Sequence, residues 1–159
     1  MKTIHVIGAG IEGQEGFSRK ALEIVEHADI LIGRVGQLAL FPDFKGETLV
    51  IEANLAPVVE CLAAAKGAAV VLASGDPLFF GIGRYLLRNL PDAELEFVPN
   101  VSSVQYAFAK IREPWDDAVF VSAQGRGMKG TVDQVVAHDK IAILTDAVNT
   151  PSAIATELI

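Results

Sequence analysis

Short apolar blocks alternate with stretches of helical period along this chain. Residues 68–73, Ala-Ala-Val-Val-Leu-Ala, are apolar at every position. A run of about six such residues fits an interior parallel strand covered on both faces. The same reading predicts strands over 3–7, 29–32, 48–51, 94–98, 118–122 and 141–144. Apolar residues at helical spacing predict helices over 18–28, 55–65, 102–110 and 131–137. Another helix follows the 68–73 strand, with Asp76 as its cap and Pro77 in its first turn, and runs to Asn89. Thr150 caps a last helix that has Pro151 at its first position. Strand, turn and helix in repetition imply an α/β fold with a parallel sheet and right-handed crossovers.

Residues 112–117, Arg-Glu-Pro-Trp-Asp-Asp, are polar and contain proline. They divide the chain into an N-terminal α/β domain, 1–112, and the start of a second α/β domain, 113–159. The last helix reaches Ile159 without a stop signal, so the second domain reads as incomplete.

The strands predicted over 3–7, 68–73 and 94–98 end in polar breaks: Gly8-Ala9-Gly10-Ile11-Glu12-Gly13, Ser74-Gly75-Asp76-Pro77 and Pro99-Asn100-Val101-Ser102-Ser103. In open α/β sheets ligands bind outside the carboxyl ends of strands, so these breaks are the candidate site. The first satisfies GxGxxG, which a dinucleotide fold uses to bring a pyrophosphate to a helix N-terminus. Against that, the helix starts late, near Ser18, and Glu12 and Glu15 sit where a phosphate would have to lie. The second strand ends Ile32-Gly33-Arg34, without an acid for a ribose hydroxyl, although Arg34 suits a 2′-phosphate. The plain alternatives are a tight turn at the first break and helix capping at the other two. Strand order decides whether the breaks converge.

Composition narrows the chemistry. Of 159 residues 51% are hydrophobic, enough for a sizeable core, and the formal charge is −7. That balance argues against nucleic-acid binding as the main activity. No apolar run approaches the length of a membrane span and no charged-then-apolar leader opens the chain, so the expected compartment is the cytoplasm. The single cysteine, Cys61, reads as a small buried hydrophobe. His5 alternates with core positions in its strand, and His27 and His138 sit at helix ends, where a cation suits the dipole. No metal-ligand spacing and no Ser-His-acid or Cys-His set is present. The concentrated basic feature is Gly125-Arg126-Gly127-Met128-Lys129-Gly130, which could hold a carboxylate or phosphate or could be a solvated loop.

Taken together, VIGAGIEG, ASGDPLFFGIG and VPNVSSVQYAFAKI, in this order and spacing, resemble the tetrapyrrole methylase superfamily. WDDAVFVSAQGRG and LTDAVNTPSAIATELI resemble its precorrin-6Y methylase branch, which includes the cobalt-precorrin-7 C5-methyltransferases. The resemblance covers essentially the whole chain. It implies the tetrapyrrole methylase fold and S-adenosyl-L-methionine as methyl donor. It also implies a corrinoid precursor of cobalamin biosynthesis as substrate, methylated at C5 and in some relatives also at C15, and a homodimer. Carried over by position, the cofactor residues are Gly8, Gly10, Ile11, Ser74, Gly75, Asp76, Phe79, Ser102 and Ser103. Four cations, Arg34, Arg84, Arg126 and Lys129, are candidates for the substrate's carboxylates. Ile11 replaces a common proline, Asn100 a common glycine, and Gln124 a histidine frequent in the branch. The readings set beside this one are an NADP-binding oxidoreductase and a same-fold methyltransferase acting on protein or RNA.

Overall fold

A computed structural model describes residues 3–125, 135 and 138–158 of the chain. It falls into two compact units, Met1–Ser103 and Val104–Ile159. That division falls after the first residue of a helix, Ser103–Ile111, that the sequence places in the first domain.

The first unit is an all-parallel five-stranded sheet. Its strands are β1 (Thr3–Ala9), β2 (Ile30–Gly33), β3 (Glu47–Val50), β4 (Ala69–Ser74) and β5 (Glu94–Val98), in the order β3-β2-β4-β1-β5. Helices α1 (Arg19–Glu26), α2 (Val35–Leu38), α3 (Ala56–Ala64) and α4 (Gly83–Asn89) belong to the connections, with a 3-10 turn at Gly13–Gly16. The continuous apolar run of β4 has its reason in this order. β4 is internal, and Val70, Val71 and Leu72 have no exposed surface. Alternate residues face opposite sides of the sheet. Ile4, Val6, Ala69, Val71 and Ala73 pack with Val58 and Leu62 of α3 and Leu86 of α4. On the other side Ile7, Val70, Leu72 and Leu31 pack with Ala21 and Val25 of α1 and with Phe17. Fully burying one such side chain contributes about 1.5–3 kcal/mol, so the two faces supply the bulk of this unit's cohesion.

His5 faces Glu96 across the β1–β5 ladder, its Nδ1 3.4 Å from the carboxylate but outside hydrogen-bond geometry, and Lys20 of α1 reaches the same carboxylate at 2.7 Å. His27 closes α1, its Nδ1 2.7 Å from the Glu23 carbonyl oxygen. Cys61 is half-buried, and desolvation, then the nearby Glu47 carboxylate, pushes its thiol pKa up, the wrong direction for a nucleophile.

One expected helix differs. Asp76 Oδ1 accepts a bond from Leu78 N at 2.8 Å, but this closes a turn, and α4 begins only at Gly83. Phe80 has φ +52, which a growing helix does not tolerate, and Gly83 N instead donates to the Pro77 carbonyl at 2.9 Å.

In the second unit, β6 (Val119–Ser122) and β7 (Ile141–Leu144) form a parallel pair, with helices α5 (Ser103–Ile111, which starts at the joint) and α6 (Pro151–Leu158). Thr150 Oγ1 accepts from Ala153 N at 3.2 Å, as the capping pattern predicts. Of the expected helix over 131–137 only Val135 is among the described residues, where it is helical and buried.

Candidate functional site

Strand order settles the convergence. The breaks follow β4, β1 and β5, and these are neighbours in the sheet with β1 in the middle. All three strands are parallel, so the breaks stand side by side at one carboxyl edge.

The contacts there are close. Gly75 N donates to the Ala9 carbonyl at 2.8 Å, extending the β1–β4 ladder past its last pair. A Cβ on Gly8 would fall on the Gly75 carbonyl oxygen. Gly75 has φ +58, and a Cβ on it would lie 2.7 Å from Ser102 Cα. Asn100 N donates to the Gly75 carbonyl at 3.2 Å. The Asn100 carboxamide donates to the carbonyls of Gly8, at 3.1 Å, and Gly16, at 3.0 Å. Its Oδ1 accepts from Val101 N at 2.8 Å. The first break is therefore bound to the second through backbone and to the third through one side chain.

Gly8, Gly10, Gly75 and Ser102 meet in this seam, and Ser102 is buried directly before α5. Ser74 ends β4 with an exposed side chain, and Gln37 Nε2 of α2 donates to its Oγ at 3.3 Å. Gln37 Oε1 also accepts from Arg34 N at 2.9 Å, so α2 is latched to the end of β4. Ile11 is 49% exposed on the first loop. Phe79 packs edge-on against Phe80, centroids 4.9 Å apart, beside the Asp76 turn. Ser103 is exposed at the start of α5. Arg34 follows β2 at the same edge and Arg84 is in the first turn of α4, both exposed. Arg126 and Lys129 lie outside the described residues.

The dinucleotide reading is corrected by this geometry. A pyrophosphate site needs a helix N-terminus at the glycine loop. Here the loop runs into the 3-10 turn, and α1 starts only at Arg19, capped by Ser18 Oγ accepting from Ala21 N at 3.2 Å. The exposed Glu12 and Glu15 repel phosphate at the same place. Gly8 and Gly10 serve loop-to-loop packing.

Asn100 and Gln37 were missed by the sequence reading. Asn100 follows a proline and reads as a turn residue. Its partners lie 92 and 84 positions away, beyond any local pattern.

In the second unit, the loops after β6 and β7 are joined by the same kind of bond. Asp146 accepts from the backbone N–H groups of Gly125 (2.9 Å), Val148 (2.8 Å) and Asn149 (2.6 Å). These bonds, Gly125 first, hold its carboxyl below the usual range. Asn149 Nδ2 donates to the Ala123 carbonyl at 2.6 Å, and Gln124 Nε2 to the Thr145 carbonyl at 3.0 Å. Gln124 thus holds backbone. Among the described residues no group of three or more His, Cys, Asp or Glu side chains could hold a metal ion. No helix of the described residues is long and apolar enough to cross a membrane.

Two hollows of about 260 and 600 Å³ lie at the opposite edge, around the amino ends of the strands, lined among others by Ile4, Leu90 and Glu94 and by Asp29, Glu47 and Cys61. The strand-end rule favours the carboxyl edge over both.

Comparison with known proteins gives the family. A family model, Tetrapyrrole (Corrin/Porphyrin) Methylases, matches residues 3–159. The chain is 37% identical over 155 residues to the cobalt-precorrin-7 C(5)-methyltransferase of Salmonella typhimurium, covering 97% of this chain and 76% of that protein. The crystal structure of a cobalamin biosynthesis precorrin-6Y methylase from Archaeoglobus fulgidus matches with a TM-score of 0.75 at 21% identity, over 93% of this chain and 75% of that one. The uroporphyrin-III C-methyl transferase of Thermus thermophilus, solved complexed with S-adenosyl homocysteine, matches with a TM-score of 0.62 at 24% identity, over 79% and 62%. This α/β chain, with its parallel sheet and its seam of three strand-end loops, belongs to the tetrapyrrole (corrin/porphyrin) methylases.

Proposed function

We propose that the protein is an S-adenosyl-L-methionine-dependent C-methyltransferase acting on a corrinoid precursor of the precorrin-6Y or cobalt-precorrin-7 class, at C5. The observation that carries the reading is the seam of Gly8, Gly10, Gly75, Asn100 and Ser102 along one carboxyl edge. The 37% identity to a cobalt-precorrin-7 C(5)-methyltransferase supports the substrate class.

The residues at the edge fit such a donor. When bound, it supplies a methyl group on a cationic sulfonium, open to in-line displacement by an electron-rich ring carbon. Asp76, Glu12 and Glu15 give the edge negative charge, which suits a sulfonium and an ammonium and opposes a pyrophosphate. Ile11 and Phe79 offer apolar surface for an adenine ring, and the exposed Ser74 and Ser103 place hydroxyls at the edge. Displacement of this kind needs placement more than a strong base, in keeping with the absence of a nucleophile–base set from the sequence. Arg34, Arg84, Arg126 and Lys129 are the proposed holders of the substrate's carboxylates. The domain division at 112 and 113, which rests on the polar, proline-containing segment 112–117, belongs to the same proposal, as do a homodimer and a cytoplasmic location, which rest on the family likeness.

Titration calorimetry with S-adenosylhomocysteine and, separately, NADPH tests the reading. Binding of the first and not the second is expected. Binding of NADPH alone overturns it. Transfer of label from methyl-labelled donor to a cobalt-precorrin, absent with RNA, tests the substrate class.

A further inference from the structure

We infer that Asn100 is a positioning residue for donor binding, a strut whose carboxamide sets how closely the first loop approaches the loop after β5. The inference rests on the methyltransferase reading for its functional part and on the described geometry for its structural part.

Both amide hydrogens of Asn100 are used, one on each end of the first loop: the Gly8 carbonyl where β1 ends and the Gly16 carbonyl where the 3-10 turn ends. Its oxygen is held by Val101 N, so the carboxamide is fixed in one orientation. Its own N–H is spent on Gly75. The first loop folds down onto this group. A Cβ on Gly10 would meet Asn100 Oδ1 at 2.9 Å, Cγ at 3.2 Å and Nδ2 at 3.4 Å, and these are its three nearest neighbours. One side chain thus joins the first loop to the third and shapes the floor under Gly10. A cofactor held by these loops binds to a seam that is already closed, and pre-closing is where affinity is gained.

The chemistry asks for asparagine. Two carbonyl acceptors require two donors on one planar group, and the carboxamide supplies them. Aspartate has the same shape but would turn lone pairs toward both carbonyls. Glycine would leave the first and third loops linked only by way of the Gly75 backbone.

Asn100→Asp and Asn100→Gly in the full chain test this, with dissociation constant for S-adenosylhomocysteine, donor KM, kcat and Tm as readouts. Each variant is expected to weaken binding on the order of tenfold. Donor KM should rise in proportion, while kcat at saturating donor stays within about twofold. A loss of Tm with unchanged dissociation constant and KM would reduce Asn100 to a structural residue and overturn the inference. A second arm needs no ligand. Gly10→Ala should lower Tm in the wild-type background and much less in the Asn100→Gly background, because the atoms in its way are those of Asn100. Gly8→Ala should be nearly as harmful in both, because its first obstacles are the Gly75 carbonyl oxygen and the Asn100 backbone N at 2.8 Å, which Asn100→Gly leaves in place. Equal harm from Gly10→Ala in both backgrounds overturns the strut. If the wild-type chain does not bind S-adenosylhomocysteine, the methyltransferase reading falls, and the Tm arm still decides the strut.

Discussion

Gly8 and Gly13 are both glycines of one motif, and they do different things. The place of a Cβ on Gly8 is taken by the Gly75 carbonyl, whereas at Gly13 the nearest atom is a Leu40 methyl at 3.7 Å. Gly8→Ala must therefore push apart the ends of β1 and β4. The expected cost is about 2–3 kcal/mol, in line with overpacking of a rigid site, together with loss of S-adenosylhomocysteine binding. Gly13→Ala meets only its own backbone, at φ +64, so about 1 kcal/mol is lost and ligand affinity stays. Urea denaturation and calorimetry on the two variants check the contrast. The motif was legible in the sequence, but its reason was not. A GxGxxG string looks the same whether its glycines admit a phosphate or a neighbouring loop. Only the partner strand, over sixty positions away, tells them apart.

Secondary structure was most legible where period and cap agreed. β5 and β7 have the predicted bounds, and α1 lies within the predicted 18–28 with Ser18 as its cap. Ser18→Ala is expected to cost about 1 kcal/mol, read as a lower urea midpoint with unchanged slope. The helix after β4 was less legible, because its apolar residues serve two structures. Leu78, Phe79 and Phe80 lie in a turn that crosses the site edge, while Leu86 is the buried anchor of α4. Leu86→Ala should cost about 2–5 kcal/mol, as for other large-to-small core changes. Leu78→Ala, at a half-exposed position, should cost well under 1 kcal/mol. Helix α2 was not foreseen at all. At four residues it is too short for period to show, and its Gln37 latch to Ser74 is tertiary.

Charge acts on the molecule as a whole, and its sign can be worked through group by group. Among the described residues three carboxyls have folded pKa values below their ordinary ones: Glu96 through its bond to Lys20, Asp117 through its bond to Lys140, and Asp146 through backbone N–H groups. A depressed carboxyl contributes stability above its unfolded pKa, here 4.5 for Glu96 and 3.8 for the aspartates, and loses it as pH falls through the folded value. Lys140, bonded to Asp117 and Glu113, is raised above 10.5, so its contribution is complete below that value and lost as pH rises through the folded pKa. Stability should therefore be flat between about pH 6 and 9 and fall on both sides. The carboxyls differ in what they hold. Glu96 and Asp117 pair with exposed or half-exposed lysines, and such pairs weaken in salt. Asp146 holds three backbone N–H groups with no counter-cation among those bonds, so its share should persist in salt. Thermal unfolding of Asp146→Asn from pH 6 to 3, at low and high salt, separates the contributions. The variant should start less stable than wild type at pH 6 and lose less on acidification. That difference should survive high salt, whereas the corresponding difference for Glu96→Gln should shrink. Parallel acid curves for Asp146→Asn and wild type would mean that the loop after β7 does not depend on that carboxylate.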